Sequence, residues 1–261
     1  MKITFDSNTW RKVVSPHCFP NDEQISAYRI INQAIREGVI VPYISETIFT
    51  LEAIKKSQRK SFVKNYRPIH ITRPTVSPDG RININMTLGP DISNGPYNSG
   101  YLDGHLQDAL QLGFKIIRFP RIGMISNPVI EQLPPERTWN MPEQQLDKLF
   151  EIDEFILSLH AGVYAIQQIG FKYNPKGWFD GIGKAPDCED KNIAKAFAEW
   201  ADGDSVAAHI SVGGDYFCTN DIAQTAGVQS ILSKHNLEHL YQKYAFKTIS
   251  PDLLAKKVVS K

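Results

Sequence analysis

Residues 39 to 45 read "VIVPYIS", a continuous run of mostly β-branched and aromatic residues. A run of that kind marks a strand buried on both faces, and such strands belong to parallel sheets sandwiched by helices. What precedes it agrees. "ITF" alternates toward a first strand that ends at Asp6, and "NDEQISAYRIINQAIREG" has a capping residue, helical apolar spacing and a terminal Gly38. Strand, helix, strand in that order implies a right-handed crossover and a parallel α/β sheet.

Ser45 then caps a predicted helix through "ETIFTLEAIKKSQRKSFVKN". From residue 66 to 186 the pattern changes. "IHITRPTVSPDGRININM" predicts a hairpin turning at Pro78-Asp79-Gly80, "LGPDISNGPYNSG" a loop, "YLDGHLQDALQLG" a helix and "FKIIRFP" a strand. "PEQQLDKLFEIDEFILSLHAGVYAIQQIG" is the longest helical pattern, apolar all round, and "NPKGWFDGIGKAPDCED" reads as loop. From 187 the compact order returns: a helix "KNIAKAFAEWA", a short helix "SVAAHISVGG" that Asp204 opens, the strand "DYFCT", helices to about Tyr244, the strand "FKTIS" and a capped terminal turn at "SPDLL". The expected organisation is a discontinuous domain of residues 1–65 plus 187–261, with 66–186 inserted. Whether "FKIIRFPRIG" joins the main sheet or builds a separate lobe stays open.

Bulk properties bound the function. The chain has 261 residues, 42% hydrophobic and 22% charged, with a formal net charge of +1. No overall field argues for nucleic acid, so a basic binding surface must be local. Three scattered cysteines make no disulfide framework and fit a reducing compartment, and no apolar run reaches membrane-spanning length. A cytoplasmic protein without a membrane association is the expectation.

Acidic residues at strand ends carry the functional reading. In an open parallel sheet, ligands bind in the crevice outside the carboxyl ends of the strands. Asp6 ends the first strand, Asp221 follows "DYFCT", and Asp204 would reach the same rim. On the predicted helix after Ser45, Ile48, Phe49, Leu51 and Phe62 fall in one arc that includes Glu52 and leaves Glu46 nearly opposite. A glutamate on a core-facing arc is costly to ionise unless a cation meets it. Several such acids together suit a hard divalent ion with oxygen ligands.

"ITFDSNTW", "YISETIFTLEAI" and "GDSVAAHISVGGDYFCTND", in that order, resemble the motifs of the PIN-domain nucleases. The resemblance implies a PIN-like three-layer α/β/α fold with a central parallel sheet and a large inserted α+β region. It implies a metal-dependent endoribonuclease that cuts phosphodiester bonds in single-stranded RNA with Mg²⁺ or Mn²⁺, DNA being the less expected substrate. Toxin or defence-effector roles come with it, and so does an antitoxin or other regulatory protein as partner. Asp6, Glu52, Asp204 and Asp221 would be the catalytic, metal-binding quartet. Asn8, Asp202, Thr219 and Asn220 would be accessory, with Glu46 the competitor to Glu52. PIN toxins are about half this length, so the insertion, as lid, homo-oligomer surface or partner module, lies outside the likeness.

The run "KKSQRKSFVKNYR" offers Lys55, Lys56, Arg59, Lys60, Lys64 and Arg67 without an acid, directly after Glu52. Such cations would track a phosphate backbone, with Phe62 or Tyr66 to stack a base. Two other readings compete: a haloacid-dehalogenase-like phosphohydrolase, which needs an acid where Asn8 stands, and a PIN-like scaffold that binds RNA or protein without cutting. His235 and His239 share helical spacing but lack the zinc-protease glutamate, and "FDGIGK" lacks P-loop spacing.

Overall fold

The structure is a computed structural model that describes residues 1–66, 68–77, 79–90, 102–118, 127–142, 145–221 and 230–260. Six parallel strands form the central sheet: β1 (Lys2–Phe5), β2 (Val41–Ser45), β5 (Lys115–Arg118), β6 (Thr138–Asn140), β7 (Tyr216–Cys218) and β8 (Thr248–Ile249). Their order is β6-β5-β2-β1-β7-β8. The chain therefore builds outward from β1 through β2, β5 and β6, then returns to the other side of β1 for β7 and β8. That reversal puts the topological switch point between β1 and β7.

Alternation along each strand sorts the core into two layers. On one face Phe5, Ile44, Ile116, Cys218 and Ile249 pack with α1 (Trp10–Val14), α2 (Ile25–Arg36), α4 (Asp103–Leu112) and α11 (Pro251–Val259). On the other, Tyr43, Ile117 and Phe217 pack with α6 (Leu146–Ser158), α9 (Asp190–Val212) and α10 (Lys234–Tyr244). His209 on α9 is buried in this second layer, bonded through Nδ1 to the Thr4 hydroxyl at 2.9 Å and edge-on to Phe217 and Phe246. A third apolar cluster joins α3 (Arg59–Asn65), α7 (Tyr164–Tyr173) and α8 (Trp178–Lys184) to the first half of α9.

Part of the middle of the chain belongs to the main sheet. β5 and β6 extend the main sheet beyond β2, and α4 enters its core. Apart from these, β3 (Pro68–Val76) and β4 (Ile82–Pro90) form their own antiparallel hairpin, with Gly80 at φ +79 in its turn. The expected loop "LGPDISNGPYNSG" runs over Leu88–Pro90 of β4, and its remainder lies outside the described residues.

Four expectations change. The helix after Ser45 is not continuous: Ser45 caps a 3₁₀ turn, Glu46–Phe49, by accepting from Thr47 N, and α3 starts only at Arg59. Thr50 breaks it, for its hydroxyl bonds back to the carbonyls of Glu46 and Thr47, and threonine in this role competes with helical geometry. The longest apolar pattern is two helices, α6 and α7, parted where His160 (φ 57) and Gly162 (φ 62) turn left-handed. "GWFDGIGK", read as loop, carries α8. Finally, the two helices expected around Asp202–Asp204 are one, α9, running 23 residues without interruption.

Candidate functional site

Asp6 leaves β1 at the switch point, its amide bonded to Cys218 O at 3.0 Å. Its carboxylate is clasped from both sides: Ser7 N donates to Oδ1 at 2.7 Å and the Thr219 hydroxyl to Oδ2 at 2.6 Å. Thr219 follows β7, so this bond ties together the carboxyl ends of the two strands that flank the crevice. Its Oγ1 also accepts from Asp221 N at 2.9 Å and from Asn8 Nδ2 at 3.3 Å. Asn220 N donates to Asn8 Oδ1, and Asn220 Nδ2 to the Tyr28 hydroxyl on α2, which in turn donates to Gln24. One polar chain therefore fixes Asp6 and the start of the Asp221 loop against a helix of the core. The short side chains of Asn8 and Thr219 act on backbone amides and carboxylate at strand ends, as turn residues do.

Four further acids are linked by charge to Asp6 or to one of its neighbours. Glu52 is pushed up to about 7, by burial first and the charge of Asp6 second, while a Ser7 hydrogen bond and the arginines Arg59 and Arg11 pull the other way. Burial also raises Asp202, and the charges of Asp6, Glu52, Glu199 and Asp221 add to it. Asp6 itself is raised, by burial above all and then by Asp221, against the bonds from Thr219, Ser7 and Asn8. Glu199, one turn before Asp202 on α9, is pushed up to about 7 by burial, with Asp221 contributing. Its Oε1 accepts from Ile231 N at 2.6 Å and Gly162 N at 3.3 Å, so it holds two separate segments to α9.

Asp6 thus acts on Glu52 and Asp221 on Asp6, and Asp202, expected as accessory, feels all three. Asp204 is placed differently. It was expected to open a short helix and reach the rim from its N-terminus; α9 is continuous there, and Asp204 is a buried mid-helix residue. Two residues further on than Asp202, it lies about 200° around the helix from it. The two aspartates leave the helix in opposing directions, and the charges of Asp6 and Glu52 reach Asp202.

Glycine between them sets how closely the α6–α7 turn approaches. A Cβ on Gly203 would stand 2.7 Å from Gly162 Cα. Gly203→Ala is expected to destabilise the protein by about 1–3 kcal/mol through overpacking and to loosen the Glu199–Gly162 bond, measured by urea unfolding; an unchanged midpoint would refute the close approach. The signal missed in the sequence is here: "DGD" reads as a turn, whereas the glycine serves helix packing.

Glu46 pairs with Arg118 Nε at 3.2 Å, and the same arginine reaches Glu131 at 2.7 Å. Glu52 reaches the cluster although the helical arc that favoured it does not exist. The basic run is also dispersed. Arg59 is 4% exposed and bonds to the backbone carbonyls of Ile54 and Ala194. Lys60 pairs with Asp187 and Asp190. Lys55, Lys56 and Lys64 are exposed, and Arg67 lies outside the described residues. Phe62 is buried against Phe197 and cannot stack a base; half-buried Tyr66 packs on Phe62 and Phe179.

All the side chains facing one another here offer carboxylate oxygen, the donor that hard divalent cations take. Among the described residues no three His, Cys, Asp or Glu side chains are gathered into a ready coordination shell, His235 and His239 included. No helix among them is long and apolar enough to cross a membrane. Comparison of the chain with family models, curated proteins and solved structures finds no match.

Proposed function

We propose that the chain is a metal-dependent nuclease of PIN-like type that hydrolyses phosphodiester bonds in single-stranded RNA. The observation that carries this reading is the set of carboxylates at the switch point, Asp6, Glu52, Asp202 and Asp221, the first three held by burial against ionisation and each of the four near another's charge. Such a set is held together economically by a divalent cation. The site residues differ from those implied by the motif resemblance in one respect: Asp202 takes the place of Asp204.

A bound Mg²⁺ or Mn²⁺ would supply Lewis-acid chemistry, activating water and neutralising charge on the phosphate. The chain's own residues account for the rest. Thr219 and Ser7 N hold both oxygens of Asp6, which fixes the direction of its remaining lone pairs. Asn8 and Asn220 position the Asp221 backbone through Thr219. Glu52 and Asp202 face Asp6 from a turn and from α9. Lys55, Lys56 and Lys64, exposed on the surface following Glu52, would receive a backbone phosphate. A haloacid-dehalogenase-like mechanism is disfavoured because Asn8, where its second acid would stand, has both amide atoms engaged with Thr219 and Asn220.

The test is cleavage of a labelled single-stranded RNA by purified protein in Mn²⁺, beside a folded Asp6→Asn variant. Wild-type cutting that the variant loses by about 10²–10³-fold or more is expected. Equal cutting by both refutes the site. Binding without cutting by both points to a scaffold.

A further inference from the structure

Away from the acids, three helix ends line an open cavity of about 330 Å³, a volume at the lower end of small-molecule sites. Val14 closes α1 and Ser15 follows it, Arg36 is the last residue of α2, and Asp108 and Leu112 lie in the second half of α4. Because α2 leads back to β2 and α4 to β5, these helix ends lie toward the amino edge of the sheet. The crevice that holds Asp6 opens at the other edge.

The lining is dipolar. Arg36 and Asp108, both exposed, come from different helices and carry opposite charges into one cavity, yet neither forms an ion pair with a described residue. Arg36 Nε donates to Asn32 Oδ1 at 2.9 Å, and Asn32 Nδ2 donates to the carbonyls of Val13 and Val14 at 2.8 and 3.2 Å, which ties the arginine to the end of α1. Its two terminal nitrogens bond to no described residue, and such a fork takes a carboxylate. Ser15 is 6% exposed, and its hydroxyl likewise bonds to no described residue, although hydroxyls so enclosed are as a rule partnered. Buried Val14 and Leu112 supply the apolar part of the lining.

We propose that this cavity binds a small zwitterion, a free α-amino acid with an apolar side chain. Its carboxylate meets Arg36 and the Ser15 hydroxyl, its ammonium meets Asp108, and its side chain rests on Val14 and Leu112. A simple anion would face the charge of Asp108 and a simple cation that of Arg36, whereas a molecule with both charges satisfies both walls. The proposal is independent of the nuclease reading.

Titration calorimetry of the full chain with L-leucine, to about 10 mM so that a millimolar dissociation constant is reached, decides it. Two truncated probes run beside it: 4-methylpentanoate, which lacks the amine, and 3-methylbutylamine, which lacks the carboxylate. L-Leucine is expected to bind saturably, one molecule per chain, and each truncated probe about tenfold more weakly or worse, since each loses a hydrogen-bonded charge. Arg36→Met and Asp108→Asn, exposed positions whose substitution leaves the core intact, are each expected to cost L-leucine a similar factor, with folding checked by circular dichroism. Absence of saturable L-leucine binding to the wild type overturns the proposal. So does undiminished binding in either variant, and so does 4-methylpentanoate binding as tightly as L-leucine, which would make the cavity an anion site.

Discussion

Asp202→Asn is expected to abolish RNA cleavage and, in the same protein, to raise the melting temperature measured in EDTA. Both effects have one cause. Asp202 is driven toward its protonated form by burial and by the charges of Asp6, Glu52, Glu199 and Asp221, so ionising it in the metal-free fold costs free energy that an amide of the same shape does not. Relief of that cost is worth about 1–3 kcal/mol, allowing for the amide's own need of partners, or several degrees for a chain of this size. Cleavage falls by about 10²–10³-fold or more, because the lost charge is one that a cation would have needed. Asp204→Asn is the control. It lies on the opposing side of the same helix, and its cleavage per folded molecule is expected within about tenfold of wild type. If Asp204→Asn is the inactive variant and Asp202→Asn still cuts, the site reading is wrong at this residue and the motif-derived quartet with Asp204 is right. A fall in melting temperature for Asp202→Asn would show that the aspartate is stabilised by a partner rather than repelled.

How far this site could be read from sequence depends on the kind of information each residue carries. Strand ends were legible, since β1, β2 and β7 are short apolar runs with sharp polar stops, and Asp6, Thr219 and Asp221 follow from those stops. Helix ends were less so. "ADGDS" contains two acids and a glycine in the composition of a turn, but α9 passes through it because Gly203 meets Gly162 and bulkier residues could not. That packing constraint involves a residue more than forty positions away and leaves no local trace. The same holds after Ser45, where a threonine hydroxyl breaks the helix that the spacing of Ile48, Phe49 and Leu51 suggests. The helical arc that points to Glu52 is absent, yet this half-buried acid, soon after the end of β2, still feels the charge of Asp6. For Arg59 the composition of its neighbours misled: five surrounding cations suggested a surface track, whereas only the carbonyls of Ile54 and Ala194 say where the side chain goes.

Acid strength in the cluster also dictates how stability responds to pH. Glu52 and Glu199 are each pushed up to about 7 from 4.5. Between those values the native state holds more protons than the unfolded chain, so stability falls as pH rises, and the whole cost is present above about 7. Each glutamate accounts for up to about 3 kcal/mol, and the raised Asp6 and Asp202 act in the same direction. His209 opposes them. Burial depresses it from 6.5 to about 3, so its stabilising neutral form is complete above 6.5 and loses ground as pH falls from there toward 3. With two glutamates against one histidine, the acids prevail between about 4.5 and 6.5, and the histidine no longer offsets them from there up to 7. The metal-free protein is therefore expected to melt highest near pH 5 and several degrees lower at pH 8, and Glu52→Gln or Glu199→Gln to flatten that slope. Saturating Mn²⁺ at pH 8 is expected to recover most of the difference, because a cation that binds only the folded state stabilises it in proportion to the logarithm of its concentration over its dissociation constant. Melting temperatures in EDTA that rise steadily from pH 5 to pH 8 would mean that these carboxyls ionise freely in the fold, and the crowded acid cluster on which the nuclease reading stands would have to be given up.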